Sequence, residues 1–214
     1  MTGTAPAPRV EAVVFDFGGV IITPITDKLA RIAERSGADP GVMLEVLMGP
    51  RHDSTDHPWH RSERGELAVA EIQALLGPYA DNHGVALVGD EIDVLLDAQT
   101  YSINTRVLDR IAALQGEVKL GLLTNSIREF RPTLERDIDL TLFDVVMDSS
   151  AEGSRKPEPV IYRRTTEALG VAAQTVVYLD DFDHNLGPAR AEGWQTIHVA
   201  DPDVALAELD ALLG

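Results

Sequence analysis

Short, almost continuously apolar runs recur along this chain, and most are separated by stretches with helical periodicity. The first run, Ala12 to Phe15 within Glu11–Phe17, stops at Asp16. The others come late: "EVKLGLLTN" (117–125), "LFDVVMDS" (142–149), "TVVYLDD" (175–181) and "QTIHVAD" (195–201). Strands with so little polar alternation are buried on both faces, the condition of a parallel sheet. Between them, "NTRVLDRIAALQG" (104–116) sets Val107, Leu108, Ile111 and Leu114 on one stripe. "PEPVIYRRTTEALG" (157–170) opens with Pro and closes with Gly, the usual asymmetry of helix ends. "HNLGPARAEG" (184–193) is a shorter helical candidate. Strands alternating with helices predict an α/β fold with a doubly wound, Rossmann-like parallel sheet.

The alternation breaks after the first strand. Residues 26–37, 39–49, 66–84 and 88–99 all carry helical patterns, with no convincing strand among them. The economical expectation is an α-helical cap subdomain spanning 22–102, inserted into a core made of 10–21 and 103–214. Residues 1–9, with Pro6 and Pro8 and no basic or apolar segment, are expected to form a short disordered tail and not a signal peptide.

Composition narrows the partners. The 214 residues are 44% hydrophobic, enough for a substantial core. Lys and Arg number 18 against 35 acidic residues, a net charge of −17, so nucleic acid and anionic membrane surfaces are poor partners. No run approaches the ~20 apolar residues that span a bilayer. The absence of Cys excludes disulfides and thiol catalysis, and agrees with a cytoplasmic setting.

In a doubly wound sheet, ligands bind outside the carboxyl ends of the strands. There stand Asp16 after the first strand, Thr124, Asn125 and Ser126 after the second, and Asp180 and Asp181 after the fourth, with Lys156 in "SRKPEP" between the third and fourth. Clustered carboxylates repel one another, and a divalent cation resolves the conflict. Mg²⁺, with its preference for oxygen ligands, waters and a substrate phosphate, suits such a set. Lys156 and the Thr124 hydroxyl can hold phosphate oxygens. Asp16 can then attack phosphorus and form an aspartyl-phosphate.

These segments resemble the four motifs of the haloacid dehalogenase-like hydrolase superfamily: "FDFGGV", "LLTNS", "SRKPEP" and "YLDDFDHN", in the right order and spacing. "DDFDHNLGPARAEGW" and "HRSERGEL" are similar to the branch that holds the phosphatase domain of soluble epoxide hydrolase and bacterial glucose-1-phosphate phosphatases. The resemblance implies a Mg²⁺-dependent phosphatase of a small phosphate monoester, with Asp16 and Lys156 as the catalytic candidates. It implies Asp16, the Gly18 carbonyl and Asp181 as metal ligands. Asp180 and Asn185 would order the metal's waters, or Asp180 would ligate directly. Thr124, Asn125 and Lys156 would bind the phosphoryl group.

Gly18 departs from the pattern, because phosphatases of this superfamily mostly carry Asp there to protonate the leaving group. Two other readings stand beside the phosphatase: a 2-haloacid dehalogenase, in which Asp16 attacks carbon without metal, and a weakly catalytic phosphate-binding module. Gly18 speaks mildly for both, and the Asp180–Asp181 pair speaks against the dehalogenase. In the insertion, three of six histidines crowd into "RHDSTDHPWHRSERGE" (51–66), a polar loop whose spacing matches no zinc motif. His60, Arg61 and Arg64 are candidates to reach the substrate; the alternative is that Arg61, Glu63 and Arg64 only pair with each other. Trp59 is expected to pack within the insertion, and Trp194 within the core.

Overall fold

The computed structural model describes residues 9–97 and 101–214, apart from the side chain of Asp27. The expected tail therefore lies almost wholly outside the described residues, as does the end of the helix read over 88–99. The sheet has five strands, β1 (Ala12–Phe15), β2 (Lys119–Thr124), β3 (Val145–Asp148), β4 (Val176–Asp180) and β5 (Gln195–His198). They are all parallel, in the order β3-β2-β1-β4-β5.

β1 sits in the middle, and its side chains serve two cores. Val13 and Phe15 pack with Leu120, Leu122 and Val177 against α7 (Thr105–Leu114) and α12 (Pro202–Leu213). Ala12 and Val14 point the other way, with Leu123, Tyr162, Tyr178 and Trp194, toward α10 (Pro159–Leu169) and α11 (Asp183–Ala191). Period-2 side chains with both faces covered explain the unbroken apolar runs. Trp194 is buried, and its indole N–H donates to the Thr166 hydroxyl at 2.8 Å.

The chain leaves this core beside β1 and returns at the same place. Thr23 N–H donates to the Ser102 carbonyl at 2.9 Å, and Asn104 N–H to the Ile21 carbonyl at 2.8 Å. Between them, among the described residues, lie six helices: α1 (Thr26–Ser36), α2 (Pro40–Met48), α3 (Pro58–Glu63), α4 (Val69–Leu75), α5 (Gly77–His83) and α6 (Glu91–Leu96). They enclose their own apolar cluster, in which Leu29, Met43, Leu47, Trp59, Ile72 and Leu76 are buried.

Two expectations need correction here. The single helix read over 66–84 is two helices, because Pro78 has no N–H and forces a new start at Gly77. The polar loop read over 51–66 contains α3. His57 caps it, its ring accepting from Trp59 N–H at 3.2 Å, with Pro58 at its first position. Most of its polar side chains are buried, not solvated: His57, His60, Ser62 and Glu63 are each at most 4% exposed, and Arg61 is the exception. Two further helices of the core, α8 (Arg131–Asp137) and the short α9 (Ser149–Glu152), complete the architecture. No helix among the described residues is long and apolar enough to cross a membrane.

Candidate active site

The central strands deliver the chemistry. Asp16 follows β1 directly, and its N–H donates to the Leu179 carbonyl at 2.9 Å, so it emerges beside Asp180 at the end of β4. Thr124 ends β2, with 4% exposure. Lys156 comes from the loop between α9 and α10 and is 1% exposed. Its ammonium donates to Asp16 Oδ1 at 2.8 Å, to Asp180 Oδ2 at 2.8 Å and to the Tyr178 hydroxyl at 2.9 Å. All three of its N–H donors are thus engaged.

Asn125 has a task beyond the one its position suggests. Its side-chain amide donates to the Lys156 carbonyl at 2.9 Å, and its Oδ1 accepts from Lys156 N–H at 2.8 Å. One of its two amide N–H donors and its oxygen clamp the Lys156 backbone, and the second N–H is left for a phosphate. Asp180 is saturated. Oδ1 accepts from Phe182 N–H at 2.7 Å and from Asn185 at 3.1 Å; Oδ2 takes Lys156, Asn185 and the Tyr178 hydroxyl.

Charge is unbalanced. Carboxylate oxygens of Asp16, Asp180 and Asp181 lie within 4.8 Å of one another, the one such group of potential metal ligands among the described residues. If all three were ionised, three carboxylates against the Lys156 ammonium would leave an excess of negative charge in a buried place. Burial pushes the Asp16 carboxyl well above its ordinary range, and Asp180 and Asp181 add to the push against Lys156. Burial, then Asp180, raises Asp181 to about 7. Burial opposes the Lys156 charge, but Asp16 and Asp180 outweigh it and hold its pKa above that of an ordinary lysine. Two buried acceptors at this spot, Asp181 Oδ1 and Asn185 Oδ1, have no hydrogen-bond partner. Orphaned acceptors and excess negative charge are what a divalent cation with its waters would satisfy, so the donor set fits one.

The glycines after β1 keep the place open. Gly19 has φ +74°, and a Cβ there would stand 2.0 Å from Asp181 Oδ2. A Cβ on Gly18 would meet nothing within 4 Å, so the position that would carry an acid is open space.

A cavity of about 200 Å³ runs from this cluster into the inserted helices. Asp16, Thr124, Lys156 and Asp181 form its polar end, and Ile25, Leu44, Met48, Trp59, Leu96 and Phe130 are among its walls. His60 reaches this cavity, whereas Arg61 and Arg64 do not line it. Arg64 is tied to Glu66 at 2.7 Å and to the Ser54 hydroxyl at 2.8 Å, and Arg61 lies 3.8 Å from the same Glu66. The substrate-contact expectation for Arg61 and Arg64 thus gives way to local pairing. Glu63 pairs elsewhere, accepting from Arg155 at 2.6 Å in a buried contact between α3 and the Lys156 loop. His60 is engaged as well: its Nδ1 accepts from Thr55 N–H at 3.0 Å, and burial with Arg155 nearby lowers its pKa to about 3. It is a neutral ring at physiological pH.

Sequence reasoning missed Arg155, Tyr178 and Arg51. A tyrosine inside an apolar strand was a legible signal, because a buried hydroxyl needs a partner. The Arg155–Glu63 contact joins residues 92 apart and left no local trace.

The profile of the haloacid dehalogenase-like hydrolases matches residues 10–193. The chain belongs to that family. Pig bifunctional epoxide hydrolase 2 is 40% identical over 95% of this chain, which spans 39% of that protein. The sesquiterpene phosphatase astK of Aspergillus oryzae is 26% identical over 95% of this chain and 97% of its own. Mouse acyl-CoA dehydrogenase family member 10 is 26% identical over 95% of this chain, which spans only 19% of it. Among solved structures, a HAD-like hydrolase of Porphyromonas gingivalis superposes with TM-score 0.69 at 22% identity, covering 94% of this chain and 98% of its own. A Bacteroides thetaiotaomicron family enzyme in complex with magnesium and inorganic phosphate gives 0.62 at 19% identity, covering 88% and 93%. The Xanthobacter autotrophicus L-2-haloacid dehalogenase gives 0.61 at 20%, covering 93% and 81%. These structural likenesses establish the fold.

Proposed function

We propose that this hydrolase is a Mg²⁺-dependent phosphatase that cleaves a small phosphate monoester through an aspartyl-phosphate on Asp16. The observation that carries the reading is the buried Asp16–Lys156–Asp180–Asp181 cluster, with more carboxyls than cations and an orphaned acceptor on Asp181. Asp16, Asp181 and the Gly18 carbonyl would hold the cation. Asp180, saturated by five hydrogen bonds, acts by fixing Lys156 and Asn185. The chemistry such a cation supplies is polarisation of the phosphoryl group and cancellation of excess charge.

The chain's own residues do the rest. Phe17 N–H and Lys156 hold Asp16 Oδ1, at 2.6 and 2.8 Å, which fixes the carboxylate and leaves Oδ2 for attack on phosphorus. Thr124 binds a phosphoryl oxygen, Lys156 does so by giving up one of its three contacts to Asp16, Asp180 and Tyr178, and Asn125 positions Lys156. The helices of 22–102 act as a cap whose apolar cavity receives the organic part of the ester and excludes water. Water then releases phosphate from Asp16.

A dehalogenase is the second reading, favoured by the missing acid at Gly18, but it needs no cation and leaves the Asp181 acceptor unsatisfied. The test is turnover of p-nitrophenyl phosphate and alkyl phosphates with Mg²⁺ and with EDTA, beside 2-chloropropionate, for wild type and Asp16→Asn. Phosphate release that needs Mg²⁺ and Asp16 is expected. Halide release in EDTA would establish the dehalogenase, and phosphate binding without turnover would establish a binding module.

A further inference from the structure

The missing acid at Gly18 raises the question of what stabilises the departing oxygen. Each polar group on the cap side of the cavity can be checked for spare donors. His60 is neutral with its Nδ1 engaged, and Glu63 is tied to Arg155. Lys28 donates to the carbonyls of Leu95 and Asp97 at 3.0 and 2.7 Å. On the core side Lys156 is saturated. Arg51 remains. It lies between α2 and α3, is half-buried, and lines the same cavity as Asp16 and Gly18. Its guanidinium stacks over the ring of Phe182, the residue after Asp181, at 4.6 Å. Its charge is felt by the Asp181 carboxyl. Among the described residues, it is the one Lys or Arg lining this cavity that has neither hydrogen bond nor ion pair. An unpaired guanidinium in a partly desolvated wall is costly unless a ligand anion meets it.

We infer that Arg51 is a further catalytic residue, which hydrogen-bonds the ester oxygen as it leaves and so replaces the acid absent at Gly18. This inference rests on the phosphatase reading. As Asp16 Oδ2 forms its bond to phosphorus, the phosphorus–ester oxygen bond breaks and its electron pair stays on that oxygen. Arg51 keeps its protons, since a guanidinium does not ionise in this range, and donates N–H hydrogen bonds to the developing alkoxide. The alkoxide takes a proton from water as it departs, and the resulting hydroxide is available to hydrolyse the aspartyl-phosphate.

The experiment compares kcat/KM with Mg²⁺ for wild type, Arg51→Gln and Arg51→Ala, over alkyl phosphates of graded leaving-group pKa and p-nitrophenyl phosphate. Loss of one preorganised donor to a developing oxyanion typically costs about 10²–10³-fold. Arg51→Gln should lose about that much on alkyl esters and much less on the nitrophenyl ester, whose leaving group is stable as an anion. Free guanidinium ion should restore part of the activity of Arg51→Ala on alkyl esters. Gly18→Asp, whose side chain enters open space, should partly rescue Arg51→Gln on the same esters. An equal loss across all esters would place Arg51 on the phosphoryl group and overturn the inference, as would no loss at all. A wild type inert toward every phosphate ester would refute the phosphatase reading instead. Unchanged thermal melting of both variants separates these outcomes from misfolding.

Discussion

Removing one charge from the carboxylate cluster should stabilise the metal-free protein. Asp181→Asn keeps the side-chain shape and abolishes its ionisation. The native carboxyl has a pKa of about 7, against an ordinary 3.8, chiefly from burial and from Asp180. At about 1.4 kcal/mol per pH unit, that gap corresponds to roughly 4 kcal/mol of destabilisation once the group is ionised in both states. Relaxation and water penetration lower the figure, so a gain of about 2–4 kcal/mol is expected for Asp181→Asn in EDTA at pH 8. The sign follows from proton binding. Between about pH 4 and pH 7 the folded state keeps a proton that the unfolded state has lost, so wild-type stability falls as pH rises through that window and levels off above it. In Asp181→Asn this component of the slope disappears. Mg²⁺ should narrow the gap, because a ligand at a hundred times its Kd contributes about 2.7 kcal/mol to the protein that binds it and less to the variant. The assay is urea denaturation at pH 5 to 8, with EDTA and with Mg²⁺. A metal-free Asp181→Asn less stable than wild type, or equal stabilisation of both by Mg²⁺, would refute the reasoning.

The remaining predictions follow from packing and pairing. Gly18→Ala places its methyl in open space and should change stability by less than about 0.5 kcal/mol. Gly19→Ala, at φ +74° and 2.0 Å from Asp181 Oδ2, should cost more than about 1 kcal/mol and weaken Mg²⁺ binding, measured by denaturation and calorimetry. Glu63→Gln leaves the buried Arg155 unpaired and should cost about 3–5 kcal/mol, whereas Glu63→Leu combined with Arg155→Met should recover most of it. A double variant that loses as much as the sum of Glu63→Leu and Arg155→Met alone would show that the pair is not coupled.

Much of the fold was legible because its signals are local. The five apolar runs became the five strands, and Gly170 does close α10 in the left-handed conformation. α12 went unread although Asp201 caps it and Pro202 begins it, both local cues. α3 was hidden for a better reason. Its polar composition reads as solvated surface, and only contacts with Val46, Thr55 and Arg155 make burial of His57, His60 and Glu63 tolerable.

The same division holds at the site. The sequence alone determined the doubly wound order of elements and which carboxylates, hydroxyl and lysine end up at the strand termini, because strand periodicity and turn residues act within a few positions of themselves. Only the tertiary structure decided how those groups are used. Lys156 spends its three donors on Asp16, Asp180 and Tyr178, Asn125 clamps a backbone, Arg61 and Arg64 turn to Glu66, and Arg51 is left unpaired in the cavity wall. Such outcomes depend on hydrogen-bond saturation and desolvation among residues far apart in the chain, and no local pattern encodes which donor finds its acceptor first.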